Sequence, residues 1–168
     1  MDRLEYIESH RGSLSYVVGK KSDYYLNAWS MEKTKINFAA FFLEAFWFAY
    51  RKMYRYAMIL ATINILVTLI SLQFILETDY YFLGSIVTIG IRIFVGYKGN
   101  DFYYEHVKRK LEISSYEPME KDCGTSILAA IGLFILMMIA QAMIEVTFNP
   151  ILIEEIDINR SINVITKS

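Results

Sequence analysis

Three long apolar runs set the terms on which this chain can fold. Residues 57–76, "AMILATINILVTLISLQFIL", carry no charge. Residues 80–97, "YYFLGSIVTIGIRIFVGY", are interrupted by Arg92 alone, and residues 126–146, "SILAAIGLFILMMIAQAMIEV", hold Glu145 only at their far end. A helix of roughly 20 apolar residues crosses the ~30 Å hydrocarbon layer of a bilayer, and each run approaches that length. A soluble helical bundle would interrupt such runs with polar residues at helical spacing, and these runs show almost none. The expected fold is therefore all-α and polytopic, with three transmembrane helices at 57–76, 80–97 and 126–148. One aromatic helix at 37–56, interfacial or half-inserted, precedes them.

Composition sharpens this reading. Hydrophobic residues make up 55% of the chain and aromatics 15%, both high for a soluble domain. The mean hydropathy is only +0.30, because the apolar residues are segregated rather than spread. A net charge of −1 gives no electrostatic support to a nucleic-acid partner. Cys123 is the one cysteine, which excludes an intrachain disulfide and any multi-cysteine metal site. The polar start, "MDRLEYIESHRGSLSYVVGKK", has no apolar core ahead of a small-residue cleavage point, so a cleaved secretory signal is not expected.

Basic residues orient the runs. Arg51, Lys52 and Arg55 precede the first, and Lys98, Lys108, Arg109, Lys110 and Lys121 lie between the second and third. The connection at 77–79, "ETD", has no basic residue, and the tail at 149–168 carries only Arg160 and Lys167. By the positive-inside rule, a cytoplasmic N-terminal region at 1–36 and a cytoplasmic loop at 98–125 are expected, with the turn at 77–79 and the C-terminal tail outside. Within the loop, "NDFYYEHVKRKL" reads as a short amphipathic helix with Asn100 or Asp101 as its N-cap, and Pro118 marks a turn. "DYYLNAW", residues 23–29, reads as another short helix.

The stretch "NFAAFFLEAFWFAYRKMYRY", residues 37–56, is the most telling. Its apolar part, from Phe38 to Tyr50, is too short to span at ~1.5 Å per helical residue. Trp47, Tyr50, Tyr54 and Tyr56 suit the headgroup level, and Arg51, Lys52 and Arg55 suit lipid phosphates. An interfacial or half-inserted helix is one reading; the aromatic and basic flank of a span that begins near Phe46 is the other. With Tyr103, Tyr104, His106, Lys108, Arg109 and Lys110 from the following loop, these residues would form a cytoplasmic basic–aromatic face for a lipid or a protein partner.

Polar residues within apolar segments are functional candidates. Counting from the cytoplasmic ends, Arg92 lies about 8 Å in and Asn64 about 10 Å in, and Glu44 on the aromatic helix is at comparable depth. The three are expected to form one cluster, with Glu44 as the counter-ion of Arg92; the competing reading lets Arg92 snorkel to the headgroups without a partner. Gln73 and Gln141 lie at matching depths further in, where they are able to hydrogen-bond across helices.

Catalytic signatures are missing. His10 and His106 stand far apart, and neither a phosphate-binding glycine loop, nor a zinc-spaced histidine pair, nor a nucleophile elbow is present. No enzymatic activity, metal or cofactor is expected.

"NFAAFFLEAFWFAYRKMYRYA" resembles the signature of a family of small bacterial membrane proteins of unknown function, in the residues Asn37, Ala39, Ala40, Phe41, Phe42, Phe46, Trp47, Tyr50, Arg51, Lys52 and Met53. "GYKGNDFYYEHVKRKL" resembles that family's second block, in Gly99, Asn100, Tyr103, Tyr104 and His106. The resemblance covers roughly residues 23–112. Glu44 and Ala45 stand where the family pattern has Gly-Pro, a pair that breaks helices; with Glu-Ala there, a straight helix is expected. The resemblance implies a multi-pass protein of the bacterial inner membrane and implies no activity. The reading that results is a non-enzymatic membrane component that acts through its cytoplasmic face on a protein partner or anionic lipid. The alternative is a homo-oligomeric transporter or channel built on Arg92, Asn64 and Glu44.

Overall fold

A computed structural model describes residues 2–31, 35–75, 82–113 and 123–148. Among the described residues every regular element is helical: α1 (Arg3–Ser9), α2 (Arg11–Val18), α3 (Ser22–Ser30), α4 (Phe38–Leu43), α5 (Ala45–Tyr50), α6 (Tyr54–Ile75), α7 (Phe82–Ile113) and α8 (Ile127–Phe148). The turn expected at 77–79, the turn at Pro118 and the tail at 149–168 lie outside the described residues.

The first three helices form a layer against the C-terminal half of α7. Asp2 caps α1 by accepting from the Arg3 N–H at 2.7 Å. Ile7, Leu14, Val17, Val18, Leu26 and Trp29 then bury their side chains almost completely. From α7, Tyr103, Tyr104 and Val107 meet them. The Trp29 indole N–H donates to the Asn100 carbonyl at 2.9 Å, the polar handle a buried tryptophan requires. The chain leaves α2 through Gly19 at φ 75°, where a Cβ would come 3.6 Å from the Gly124 Cα, and the Gly124 N–H donates to the Val17 carbonyl at 2.9 Å. This close approach of two backbones ties the start of α8 to the N-terminal layer.

The short helices α4 and α5 form a wedge. α4 packs on α7 at two glycines: a Cβ on Gly96 would lie 2.9 Å from the Phe41 Cβ, and one on Gly99 would lie 2.9 Å from the Ala40 Cβ. α5 packs on α6 and α8 through Phe48, Ala45 and Ala49, all buried, and the Ser126 N–H donates to the Tyr50 carbonyl at 2.8 Å.

Two expectations are corrected here, and a third is met in part. The stretch at 37–56 is not one straight helix. It breaks at Glu44, where the backbone takes φ 43° and ψ −118°, and again at Lys52 with φ 59°. Helix propensity at Glu44 and Ala45 is overridden because the break lets α4 and α5 pack on different partners. From Phe82 on, the apolar segment and the loop helix are one unbroken helix, α7, of 32 residues. Asn100 and Asp101 therefore cap nothing, and the Asn100 side chain is spent on a tertiary contact. Finally, two helices, rather than three, are long and apolar enough to cross a membrane among the described residues: Tyr54–Ser71, of mean hydropathy 1.5, and Ile127–Thr147, of 2.5. The start of α7, which contains Arg92 and runs on into charged sequence, is not one of them.

The apolar helices are turned outward. Leu128 is 82% exposed, and Ile59, Leu66, Ile70, Ile135 and Ile139 are each about half exposed or more. Among the described residues burial is concentrated in α1 to α5 and the second half of α7 instead.

Candidate functional site

Two arrangements of polar side chains stand out, one above the other along α7. The first surrounds Arg51. The helix α5 ends there, its backbone N–H donating to the Trp47 carbonyl at 3.0 Å, so that the side chain points into the aromatic core. Its guanidinium lies 4.4 Å from the ring centre of Tyr25, 5.0 Å from that of Tyr103 and 5.5 Å from that of Tyr50. Nη2–H donates to the Tyr25 hydroxyl at 2.9 Å. Ring faces carry partial negative charge and attract a desolvated cation, which is what holds a guanidinium only 4% exposed with no carboxylate in contact among the described residues. Tyr103 is the hub, with Tyr25, Trp29 and Trp47 all packed on its ring at 4.9–5.9 Å. Burial pushes its phenol up to about 12, against the opposing pull of Arg51.

This overturns much of the expected basic–aromatic face. Trp47, Arg51, Tyr103 and Tyr104 are buried and form core, and Tyr50, Lys52, His106, Lys108 and Lys110 are half-buried. Only Tyr54, Arg55 and Arg109 are exposed. The physical reason is that aromatic ring faces attract a desolvated cation, and here they do so within the chain. Lys52 donates to the Cys123 carbonyl at 2.6 Å, and Lys108 lies 5.0 Å from the Tyr6 ring. His106 is lowered to about 4 by burial first and then by Lys110 and Arg109.

The second arrangement sits where α4 breaks into α5. Glu44 points at α6 and α7: its Oε1 accepts from Arg92 Nε–H at 2.6 Å and its Oε2 accepts from Asn64 Nδ2–H at 3.0 Å. The Glu44 side chain is 9% exposed and that of Arg92 45%. Glu44, Asn64 and Arg92 thus meet in one cluster, fixed by three different helical segments. Gln141 is exposed, with Nε2 at 3.5 Å from Glu145 Oε1; the side chain of Gln73, its expected partner, lies outside the described residues.

A third polar contact went unread in the sequence. Asn37 caps α4 by accepting from the Ala40 N–H at 3.0 Å, and its Nδ2–H donates to Asn100 Oδ1 at 2.9 Å. Asn100 Nδ2–H donates in turn to the Lys35 carbonyl at 2.7 Å, and the Asn37 N–H to the Gly96 carbonyl at 2.8 Å. Both asparagines are 2% exposed. The signal was present: an asparagine directly before the apolar run "FAAFFL" is an N-cap pattern. Among the described residues no group of three or more His, Cys, Asp or Glu side chains is arranged to hold a metal ion.

The molecule is thus an all-helical protein with two outward-turned apolar helices and a polar cluster between its helices. Residues 5–109 match the family described as "Protein of unknown function (DUF2628)", and the chain belongs to that family. Its match takes in most of α1, all of α2 to α6 and most of α7, including all three polar arrangements. A search of curated proteins finds no match, and a search of solved structures finds none.

Proposed function

We propose that the chain is a non-enzymatic, multi-pass component of the bacterial inner membrane that acts through its cytoplasmic side on a protein partner or anionic lipid. Three spans carry it: α6, the first part of α7, and α8. The observation that supports this reading is the inverted distribution of side chains. Large aliphatic residues of α6 and α8, from Met58 to Ile70 and from Ile127 to Val146, are exposed, while Asn37, Glu44, Arg51 and Asn100 are enclosed with Trp29, Trp47 and Tyr103; a soluble core helix has the opposite pattern. On this placement the wedge of α4 and α5 is re-entrant. It enters from the cytoplasmic side and turns at Glu44, where irregular backbone is tolerated because protein covers it. The exposed Tyr54, Arg55 and Tyr97 and the half-buried Lys98 then mark the inner headgroup level, with Arg109 beyond it in the cytoplasm.

The test is a topology map with single cysteines at Ser22, Thr78, Thr125 and Thr147 in a Cys123→Ser background, probed in intact cells with an impermeant maleimide. Labelling at 78 and 147 alone is expected. Labelling at 22 would mean that the wedge crosses the membrane and that the orientation is wrong. Lipid and protein partners separate in a second measurement. Arg55→Gln with Arg109→Gln lowers the phosphatidylglycerol retained in native mass spectrometry if lipid is the partner, and lowers only protein cross-links if it is not.

One observation favours a second reading, a homo-oligomeric transporter or channel: the meeting of Glu44, Asn64 and Arg92 among apolar helices. Intramembrane charges are costly and commonly mark substrate paths. On that reading Arg92→Leu abolishes permeation in proteoliposomes while leaving the exposed basic residues and their contacts intact.

A further inference from the structure

We infer that Glu44 is an exchangeable internal ligand, and that Arg92 and Asn64 form a binding site for a small free carboxylate that takes its place. The inference rests on the cluster that supports the second reading above, but it concerns binding and holds whether or not anything crosses the membrane.

The site is built as a carboxylate receptor. Two donors from different helices, Arg92 Nε–H on α7 and Asn64 Nδ2–H on α6, each take one oxygen of a single carboxylate, at 2.6 and 3.0 Å. No acidic side chain other than Glu44 contacts Arg92 among the described residues. What fills the receptor is a carboxylate supplied from the chain itself, at the tip of the α4–α5 break.

That tether is strained. Glu44 holds φ 43° and ψ −118°, a region that L residues with a Cβ avoid and glycine enters readily. Strain of this kind persists where surrounding contacts over-determine it, and it gathers at functional sites. Here it works against the tether, because the two hydrogen bonds must hold the Glu44 backbone in that region. A free carboxylate making the same two bonds bears no such penalty.

The receptor is also open on one side. The Arg92 side chain is 45% exposed, and Nη1 and Nη2 have no acceptor among the described residues. The planar fork of a guanidinium binds a carboxylate through two parallel N–H groups. An incoming carboxylate is therefore able to dock on the Nη edge while Glu44 still holds Nε. Glu44 then rotates out toward the exposed side as the guest moves onto Nε and Asn64. Arg92 is never left without an anion during the exchange, which avoids the cost of an unpaired charge in apolar surroundings.

Glu44→Gly tests this directly. It removes the internal carboxylate and, because glycine accepts φ 43°, relieves the backbone instead of straining it, so the variant is expected to fold. Purified protein in neutral detergent is heated in sodium acetate, with sodium chloride at equal ionic strength as the reference. Circular dichroism before heating establishes that each variant is helical. The expected result is an acetate-specific rise in the unfolding midpoint for both proteins, with Glu44→Gly half-saturated at a concentration at least about tenfold below that of the wild type. Arg92→Lys in the Glu44→Gly background keeps the charge but loses the fork, and weakens the response about tenfold or more. Asn64→Leu weakens it too. A response in Glu44→Gly with none in the wild type would make Glu44 a permanent structural ligand and overturn the proposal. So would the absence of any acetate-specific rise in a folded Glu44→Gly. Because the readout is binding in detergent, a failure of flux in vesicles would refute transport and leave the carboxylate site standing.

Discussion

Replacing Asn37 by alanine tests whether the wedge of α4 and α5 is held in place by hydrogen bonds or merely by apolar contact. The asparagine serves two purposes at once. Its Oδ1 caps α4 by accepting from the Ala40 N–H, and its Nδ2–H donates to Asn100 Oδ1, with both asparagines 2% exposed. Loss of an N-cap costs about 1 kcal/mol. Leaving the Asn100 carbonyl oxygen buried without a donor costs a further 1–3 kcal/mol or so. Asn37→Ala is therefore expected to lower stability by roughly 2–4 kcal/mol, which for a chain of this size is a fall of about 5–15 °C in unfolding midpoint. Asn37→Ser separates the two purposes, because serine still caps but does not reach Asn100; it is expected to lose about half as much. The assay is thermal unfolding in detergent, followed by a thiol-reactive dye that reports exposure of Cys123, half-buried in the folded chain. In the double-mutant cycle with Asn100→Ala, a coupling of at least about 1 kcal/mol is expected. A midpoint for Asn37→Ala indistinguishable from wild type, or strict additivity with Asn100→Ala, would refute the reasoning.

Three further outcomes follow from the same packing. Gly99→Val places a branched side chain where even a Cβ lies 2.9 Å from Ala40; overpacking costs about 1–3 kcal/mol, and Ala40→Gly recovers part of it, as read by the same unfolding assay. Arg51→Lys keeps the charge but not the flat guanidinium that lies against Tyr25 and Tyr103, and a loss of about 2 kcal/mol is expected; an unchanged midpoint would mean that the rings contribute nothing beyond volume. His106, held near pKa 4 in the folded chain against 6.5 as the ordinary value, binds its proton more readily once unfolded. Stability attributable to it is full above pH 6.5 and falls as the pH drops toward 4, by about 1 kcal/mol at pH 5 once solvent screening of the part-exposed ring is allowed for. His106→Gln flattens that slope in unfolding curves taken between pH 7 and 5.

Long-range apolar pattern was readable without the structure, and local geometry was not. α8 spans Ile127–Phe148, within one residue of the segment expected from the apolar run, because length and apolarity govern such a helix. Depth counting along α6 and α7 placed Asn64 and Arg92 at one level, since a helix rise is constant. The break at Glu44 had no local signal. Glutamate and alanine both favour helix, and the left-handed backbone there is imposed by where Arg92, Asn64 and the faces of α4 and α5 must go. Arg51 misled for a different reason. A cation beside tyrosines and a tryptophan is the composition of a headgroup anchor and equally that of a cation–aromatic core, and only the fold of α3 and α7 around it decides between them. Tyr25 and Trp29, which enclose it and its neighbour Tyr103, are distant in sequence and gave no sign of the role.

The continuity of α7 has a mechanical consequence. Its 32 residues make a rod about 48 Å long at 1.5 Å per residue, with no proline or bulge at the point where apolar sequence gives way to charged. The layer of α1, α2 and α3 grips the charged half through Trp29, Tyr103 and Tyr104, so that layer moves as the rod moves. From Tyr97 to Ile113 the rod extends about 24 Å, and a tilt of roughly 10° would carry its tip about 4 Å sideways, within the range by which helices accommodate bilayers of different thickness. On the three-span placement proposed above, a lever of this kind would convert the thickness of the surrounding lipid into the position of the N-terminal helices.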